Sequence, residues 1–240
     1  MAISRAQLLK ELLPGLNALF GLEYAKYTDE TADIFESESS DRSFEEETKL
    51  SGFSAAPVKD EGAAIAYDNA QEAWTARYVH ETVAMGFSLT EEAIDDILYH
   101  SLSARYTKAL ARAMAYTKLV KGAKILNDAF TAGVTYGDGE VLCSTAHPLV
   151  SGGTNSNRPT TGADLNETSL EAAIIQIAGW TDERSLLIAA KPAKLIIPPA
   201  LQFVATRILD SELRVGTADN DINALRNNGS VPGGYSVNHY

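Results

Sequence analysis

The chain is poor in cysteine and has no long run of apolar residues. Its single cysteine, Cys143, excludes an internal disulfide and a zinc site built from several cysteines, so we expect a reducing compartment. No stretch approaches the roughly 18 continuous apolar residues of a membrane-spanning helix, so we expect no membrane partner. The 45% hydrophobic content of these 240 residues is nevertheless ample for a packed core.

Basic residues are also scarce. The chain has 20 Lys and Arg against 32 Asp and Glu, which gives a net charge of −12. Proteins that read nucleic-acid sequences need clustered cations to contact the phosphates, so this composition argues against that class. The charge is compatible with a protein that lies near DNA without binding its sequence.

Good helix formers, in contrast, run without interruption by proline from Thr90 to about Phe130. Thr90 is placed to cap the first turn, and two glutamates follow it at the positive end of the helix dipole. A helix of about 40 residues is far longer than the average of about 11–12, and it would span roughly 60 Å. The predicted apolar stripe consists of Ile94, Ile97, Leu98, Leu102, Tyr106, Ala109, Ala113, Tyr116 and Val120. The predicted polar face consists of Asp95, Asp96, Arg105, Lys108, Arg112 and Lys118.

Two different patterns precede this helix. A helix begins near Ser4, Pro14–Gly15 is predicted to break it, and an acidic segment then leads to Glu47, so residues 1–47 resemble an arm or a docked N-terminal hairpin. Residues 48–89 alternate in polarity, with Lys59 near a turn, and predict a long two-stranded ribbon. Because an isolated ribbon is only marginally stable, we expect it to lie on a surface, such as another subunit.

Strand and helix patterns alternate after the long helix. The predicted elements are a strand at Val141–Cys143, a polar loop from His147 to Gly162, a helix from Asn166 or Thr168 to Trp180, a buried strand at Lys194–Ile197, a helix from Pro199 through Leu209 and a strand from Tyr235. No partner strand or turn follows Tyr235–Tyr240 in the sequence. We therefore expect these 240 residues to be an incomplete copy of the native polypeptide.

One constellation has catalytic potential. Cys143 or Ser144 with His147 would make a nucleophile and base, although a hydrolase also needs an orienting group and an oxyanion hole. The alternative, which we favour, is a loop whose polar side chains satisfy local backbone groups.

The run Glu45–Glu47 could hold a cation, but a charged face is the favoured interpretation. His80, His100 and His239 are too scattered for a metal site. We therefore predict no catalytic, cofactor-binding or metal-binding residue, no cofactor and no enzymatic activity.

The order of arm, ribbon, long helix and mixed region resembles the major capsid proteins of tailed bacteriophages with the Hong Kong 97-type fold, and most closely the major head subunit of Mu-like phages and prophages. The segments that carry this resemblance are 13–21 (LPGLNALFG), 101–112 (SLSARYTKALAR), 144–149 (STAHPL), 152–159 (GGTNSNRP), 192–199 (PAKLIIPP) and 216–221 (GTADND). Together they extend over nearly the whole chain, and none of them is a catalytic motif.

The resemblance implies an α+β fold with four regions: an N-terminal arm at 1–47, an extended ribbon (the E-loop) at 48–89, a peripheral domain with the spine helix at 90–167 and an axial domain at 168–240. It also implies that hexamers and pentamers of the chain form an icosahedral shell around double-stranded DNA, in the host cytoplasm during assembly and then in the virion. Scaffolding, portal and decoration proteins are the expected partners. An encapsulin-like compartment and the hydrolase remain as alternatives. Some members of the fold class cross-link through a lysine in the E-loop, but we expect Lys59 to be a solvated turn residue.

Overall fold

The computed structural model describes residues 5–88, 90, 100–214, 221–226 and 229–240. These residues form two compact units. The first comprises the described parts of 1–38 and 80–124, with Tyr240, and the second comprises those of 39–79 and 125–239. Among the described residues, no helix is long and apolar enough to cross a membrane.

The first unit begins with helix α1, Arg5–Tyr24, and a short 3₁₀ helix, Glu30–Asp33, follows it. The predicted break at Pro14–Gly15 is wrong, because α1 continues through Pro14. A proline inside a helix removes one backbone hydrogen bond. The helical residues on both sides of Pro14 keep their own hydrogen bonds, and a helix that is already nucleated gains one bond for each added residue.

Helix α2, His100–Asn127, is the described part of the predicted long helix. Its 28 residues are more than twice the average helix length. It ends at Asn127, three residues before the end predicted near Phe130. A turn follows, in which the amide of Ala129 donates to the carbonyl of Leu126 at 3.2 Å. The predicted start, with its cap at Thr90 and the residues 91–99, lies outside the described helix.

The buried face of α2 differs from the predicted stripe. Every fourth residue is buried in one row, and the row consists of Ser103, Thr107, Ala111, Ala115, Leu119 and Ala123. Tyr106, Tyr116 and Val120 of the predicted stripe are exposed. Small side chains permit a close approach to neighbouring segments, and the hydroxyl of Thr107 is satisfied by the carbonyl of Ser103 at 2.9 Å. The prediction relied on large apolar residues, so it did not identify this row of mostly small side chains.

The segment after α1 packs on this helix within the first unit. A Cβ atom at Gly122 would overlap the methyl group of Thr31, so the close approach depends on the glycine. Asp29 caps the 3₁₀ helix by accepting from the amide of Thr31 at 3.0 Å, and it also forms an ion pair with Lys118 at 2.5 Å. The Lys118 ammonium lowers the pKa of Asp29.

The second unit contains the ribbon. Its strands are β1, Phe44–Leu50, and β2, Glu72–Val79, which pair antiparallel, and residues 51–71 connect them. The predicted strand pattern beyond Val79 is wrong, because the described residues 80–88 form no strand. No strand in the described part of the chain pairs with that segment, and an extended segment without a partner is not a sheet strand.

The remaining elements of the second unit are short. They are strands β3, His147–Pro148, and β4, Thr154–Asn155, helix α3, Glu167–Ala178, strand β5, Leu195–Ile197, a 3₁₀ helix, Pro199–Leu201, helix α4, Gln202–Asp210, and strand β6, Tyr235–Val237. The predicted strand at Val141–Cys143 is wrong, because that segment is a bend whose Cys143 amide donates to the carbonyl of Ala129 at 2.9 Å. No partner strand was predicted after Tyr235, and in the structure β6 pairs parallel with β5, which lies earlier in the chain. A parallel partner needs no adjacent hairpin.

The buried row of α2 generates a test. Ala111 is fully buried, whereas Ala109, two residues earlier, is exposed. Ala111→Leu should lower the free energy of unfolding by about 1–3 kcal/mol, because it overfills a packed contact. The same substitution at Ala109 should change it by less than about 0.5 kcal/mol. Urea denaturation of both variants measures the difference. Equal effects at the two positions would refute the assignment of the buried face.

Candidate functional site

The loop with the candidate nucleophiles is held by a dense set of hydrogen bonds. The hydroxyl of Ser144 donates to Glu140 Oε2 at 2.9 Å and accepts from the amide of Ala146 at 3.1 Å. Asn157 accepts from the Ser144 amide at 2.9 Å and donates to the carbonyl of Leu142 at 2.7 Å. These bonds satisfy the backbone of a partly buried loop, as the favoured interpretation of the sequence expects.

His147 is paired with a carboxylate. Its Nδ1 lies 2.5 Å from Asp138 Oδ2. The other ring nitrogen, Nε2, is buried and has no hydrogen-bond partner among the residues that the structure describes. Burial alone would raise the pKa of Asp138, but the His147 hydrogen bond and the amide of Glu140 outweigh it and keep that pKa below its ordinary value. An Asp–His pair is two-thirds of a hydrolytic triad. The third member is missing, because the hydroxyl of Ser144 donates to Glu140 and not to the imidazole.

Cys143 is not activated either. Burial raises the pKa of its thiol, and the opposing influence of Arg158 is smaller. The thiolate is the reactive form of cysteine, so a raised pKa makes the side chain a poorer nucleophile. A cleft of about 350 Å³ lies beside His147 and is also lined by Trp180 and Ile188. The structure thus brings Cys143, Ser144 and His147 into one loop without arranging them as a catalytic set.

The other candidate residues are separated. Glu45, Glu46 and Glu47 follow one another along β1, so neighbouring side chains point to opposite faces of the ribbon. Glu46 forms an ion pair with Arg77 of β2 at 2.5 Å, and Glu45 accepts from Ser40. Among the residues that the structure describes, no group of three or more His, Cys, Asp or Glu side chains is arranged to hold a metal ion.

A second candidate for a functional site is the exposed apolar surface of the ribbon. The ribbon and its loop, residues 44–79, expose an unusual number of large apolar side chains. They include Leu50 at 64%, Phe53 at 61%, Val58 at 95%, Ile65 at 67% and Tyr67 at 93%. Contiguous exposed apolar surface on a soluble protein marks a site of contact with another molecule. We call residues 51–71 the ribbon loop.

The ribbon loop is closed at its base. The amide of Ser51 donates to the carbonyl of Gln71 at 2.9 Å, and the Gln71 amide donates back to the hydroxyl of Ser51 at 2.9 Å. Further out, Asp68 accepts from the amide of Ser54 at 2.7 Å, and this bond is the main reason that the pKa of Asp68 is lowered. A loop of this length without regular structure is uncommon in compact domains and is usually functional.

More apolar side chains are uncovered elsewhere in the second unit. They include Ile175 of α3, Leu187 and Ile188 of the segment after it, Phe203 of α4, and Ile222, with exposed fractions between 55% and 80%. The sequence analysis expected the ribbon to lie on another surface, but it did not identify these residues or the exposed residues of the ribbon loop. A sequence shows that a residue is apolar but not whether the folded subunit covers it. The available signal was the group of large apolar residues between the turn-forming residues of 51–71.

Comparison with known proteins identifies the family of the chain. A family model described as phage capsid protein matches residues 72–239, which is well over half of the chain. The chain belongs to the phage capsid protein family. This membership supports a role in a capsid shell, and thus in the virion, and points to a structural, non-enzymatic protein.

A solved structure agrees at the level of the fold. The capsid chain is similar to a chain in the procapsid of bacteriophage JBD30, with a TM-score of 0.61 and 14% sequence identity over 99% of both chains. At this identity the likeness establishes the mixed helix and strand architecture alone. No curated protein sequence matches the chain.

The hydrogen bonds of the candidate loop predict a structural and not a catalytic phenotype. Ser144→Ala should lower the free energy of unfolding by about 0.5–1.5 kcal/mol, because it removes the hydrogen bonds of the Ser144 hydroxyl with the amide of Ala146 and the carboxylate of Glu140. Thermal denaturation measures that loss.

Hydrolysis of a generic ester provides the matching functional readout. Wild type, Ser144→Ala, Cys143→Ser and His147→Ala should all hydrolyse it at the same background rate. An esterase activity that disappears in any of the three variants would contradict the structural assignment of this loop.

Proposed function

We propose that the chain is the major capsid protein of a tailed bacteriophage or of a prophage derived from one. In this proposal it has the Hong Kong 97-type fold and is similar to Mu-like head subunits. The observation that carries the proposal is the phage capsid family match over residues 72–239. The fold likeness to a chain of a phage procapsid also supports it.

In this proposal the ribbon is the E-loop, and its loop lies on a neighbouring copy of the chain. The supporting observation is that Val58 and Tyr67 are almost fully exposed, at 95% and 93%. Burying a side chain of this size contributes about 1.5–3 kcal/mol, so an interface that covers the ribbon loop would draw substantial stabilisation from it. Hexamers and pentamers of the chain then close into an icosahedral shell.

Helix α2 takes the role of the spine helix within a peripheral domain. We propose the regions 1–47, 48–89, 90–167 and 168–240 as arm, E-loop, peripheral domain and axial domain. The uncovered apolar residues of α3 and α4 fit an axial domain that contacts its copies around the capsomer centre. Their exposed fractions, 72% for both Ile175 and Phe203, motivate this assignment.

The charge of the chain fits a container for double-stranded DNA. A net charge of −12 disfavours tight contact with phosphates, so packaged DNA would stay free to move inside the shell. Scaffolding, portal and decoration proteins are the further partners that we propose. Assembly would take place in the host cytoplasm and end in the virion.

Electron microscopy of the purified protein tests the proposal. We expect shells, tubes or capsomer rings in negative stain. A protein that stays monomeric under all assembly conditions would contradict a capsid role. Nucleic acid extracted from native particles then distinguishes a phage head from an encapsulin-like compartment, which would contain cargo protein instead.

The ribbon loop provides a mutational prediction. Val58→Asp and Tyr67→Asp should each abolish particle formation, because an interface would have to bury an unpaired carboxylate. Both positions are exposed in the single subunit, so its melting temperature should not change by more than about 2 °C.

Ser39→Asp is the control, because it adds the same charge at an exposed polar position outside the loop. Size-exclusion chromatography and electron microscopy measure assembly. Normal particles from both loop variants would show that the ribbon loop is not an interface.

A further inference from the structure

The segment that follows α3 forms a tight hairpin. Thr181 and Leu187 make an isolated antiparallel bridge, and the amide of Asp182 donates to the carbonyl of Leu186 at 2.9 Å. The carboxylate of Asp182 accepts from the amides of Arg184 and Leu186, both at 2.8 Å. This closed turn holds the residue at its centre, Glu183, in one orientation.

Glu183 is a buried carboxylate, only 5% exposed. One oxygen, Oε2, accepts from the amide of Val150 at 3.0 Å, and the other, Oε1, forms an ion pair with the ammonium of Lys49. The carbonyl of Glu183 accepts from the hydroxyl of Ser151 at 3.3 Å. A buried charge needs an opposite charge and hydrogen bonds, and Glu183 has the Lys49 ammonium and the amide of Val150. Among the described residues no donor is hydrogen-bonded to Oε1, so the ion pair with Lys49 alone compensates that oxygen.

Lys49 belongs to the ribbon and lies where the pairing of its two strands is irregular. The register of β1 and β2 shifts between Thr48 and Leu50, where Ala73 and Trp74 of β2 lie opposite the single residue Lys49. The extra residue bends β2 at this point, beside Lys49. The Lys49 ammonium lies 4.4 Å from the ring centroid of Trp74 in β2, so a single cation contacts the other strand as well as Glu183.

The next hairpin residue contacts the same end of the ribbon. Nη2 of Arg184 donates to the carbonyl of Asn69 at 2.6 Å, just before β2 begins. Two consecutive side chains of the hairpin thus contact the end of β1 and the end of the ribbon loop. All of these contacts lie within the second unit.

We propose that Glu183, acting through Lys49, is the positioning residue that fixes the base of the ribbon and so sets the direction in which the ribbon loop extends toward a neighbouring copy. The last part of this statement rests on the proposed capsid function, whereas the clamp itself does not. A two-stranded ribbon is marginally stable alone, so an ionic contact to a buried carboxylate at its base should restrict its motion. The side chain of Glu183 is 5% exposed, whereas those of Glu23 and Glu46 are 16% and 42% exposed and are more readily solvated. The side chain of Lys49 is itself 45% exposed.

The experiment uses purified, unassembled subunits of the full chain. A Trp180→Phe background leaves Trp74 as the sole tryptophan, so its fluorescence anisotropy decay reports motion of the ribbon. Lys49→Met and Glu183→Gln remove the charge on either side of the ion pair while preserving side-chain length. Lys49→Arg keeps the charge, and Lys26→Met is a matched control that removes an exposed pair with Glu23.

Hydrogen exchange by mass spectrometry follows the amides of 44–50 and 72–79 in the same samples. Lys49→Met and Glu183→Gln should each accelerate this exchange by about tenfold and increase the amplitude of Trp74 motion. Lys49→Arg and Lys26→Met should stay within about twofold of the parent protein. The double variant Lys49→Met/Glu183→Gln should be no faster than the faster single variant, because the two residues act as one unit.

Three results would overturn the proposal. Unchanged strand exchange in both single variants would show that the pair does not hold the ribbon. Equal acceleration in α3 and at β5–β6 would show that Glu183 stabilises the whole unit and not the ribbon base. Additive effects in the double variant would show that the two residues act separately. Particle formation by the wild type is scored separately, so a failure of the capsid function would not be confused with a failure of the clamp.

Discussion

The uncovered apolar surface is the constraint on which the account depends. In the described part of the chain no large side chain is fully buried, and five of the nine buried hydrophobic residues are alanines. Large apolar residues such as Val58, Tyr67 and Ile222 are at least 80% exposed instead. Burial of apolar area is the main favourable term in folding and association. In the capsid function that we propose, other copies of the chain cover this surface.

Charged and aromatic contacts stabilise the ribbon that carries part of this surface. A hairpin of two strands has few neighbours, so these contacts take the place of a hydrophobic core. Arg77 pairs with Glu46 across the strands and lies 4.3 Å from the ring centroid of Phe44, and Lys49 lies over Trp74. Gly137 allows a close approach, because a Cβ atom there would lie 2.9 Å from the ring of Trp74. The apolar loop at the far end is left free to contact a partner.

The sequence correctly predicted the elements that are stabilised by interactions between residues close together in the chain. The helix after Asn166 has the predicted cap, in which Asn166 and Ser169 exchange hydrogen bonds at 2.8 and 3.0 Å. The strand before Pro198 and the helix after it were likewise marked by proline and apolar runs, and both are present.

Features that depend on tertiary contacts could not be predicted in the same way. Burial of the row that contains Ala111 and Ala115 follows from what packs against α2, not from hydrophobicity. Continuation of α1 through Pro14 depends on helical residues on both sides. The loop that contains Ser144 and His147 was predicted only in part. The sequence identified these two residues, but it did not identify their hydrogen-bond partners, Glu140 and Asp138.

The most direct measurement is the rate of trypsin cleavage at Lys59, in the middle of the ribbon loop, followed by mass spectrometry in free subunits and in assembled particles. Lys59 is exposed in the single subunit, so rapid cleavage is expected there. Particles should be cleaved at least about tenfold more slowly, because a neighbouring copy covers the loop and cleavage then requires local opening. Subunits recovered by dissociating the particles should regain the rapid rate. Equal cleavage rates in free subunits and intact particles would contradict the claim that assembly covers this surface.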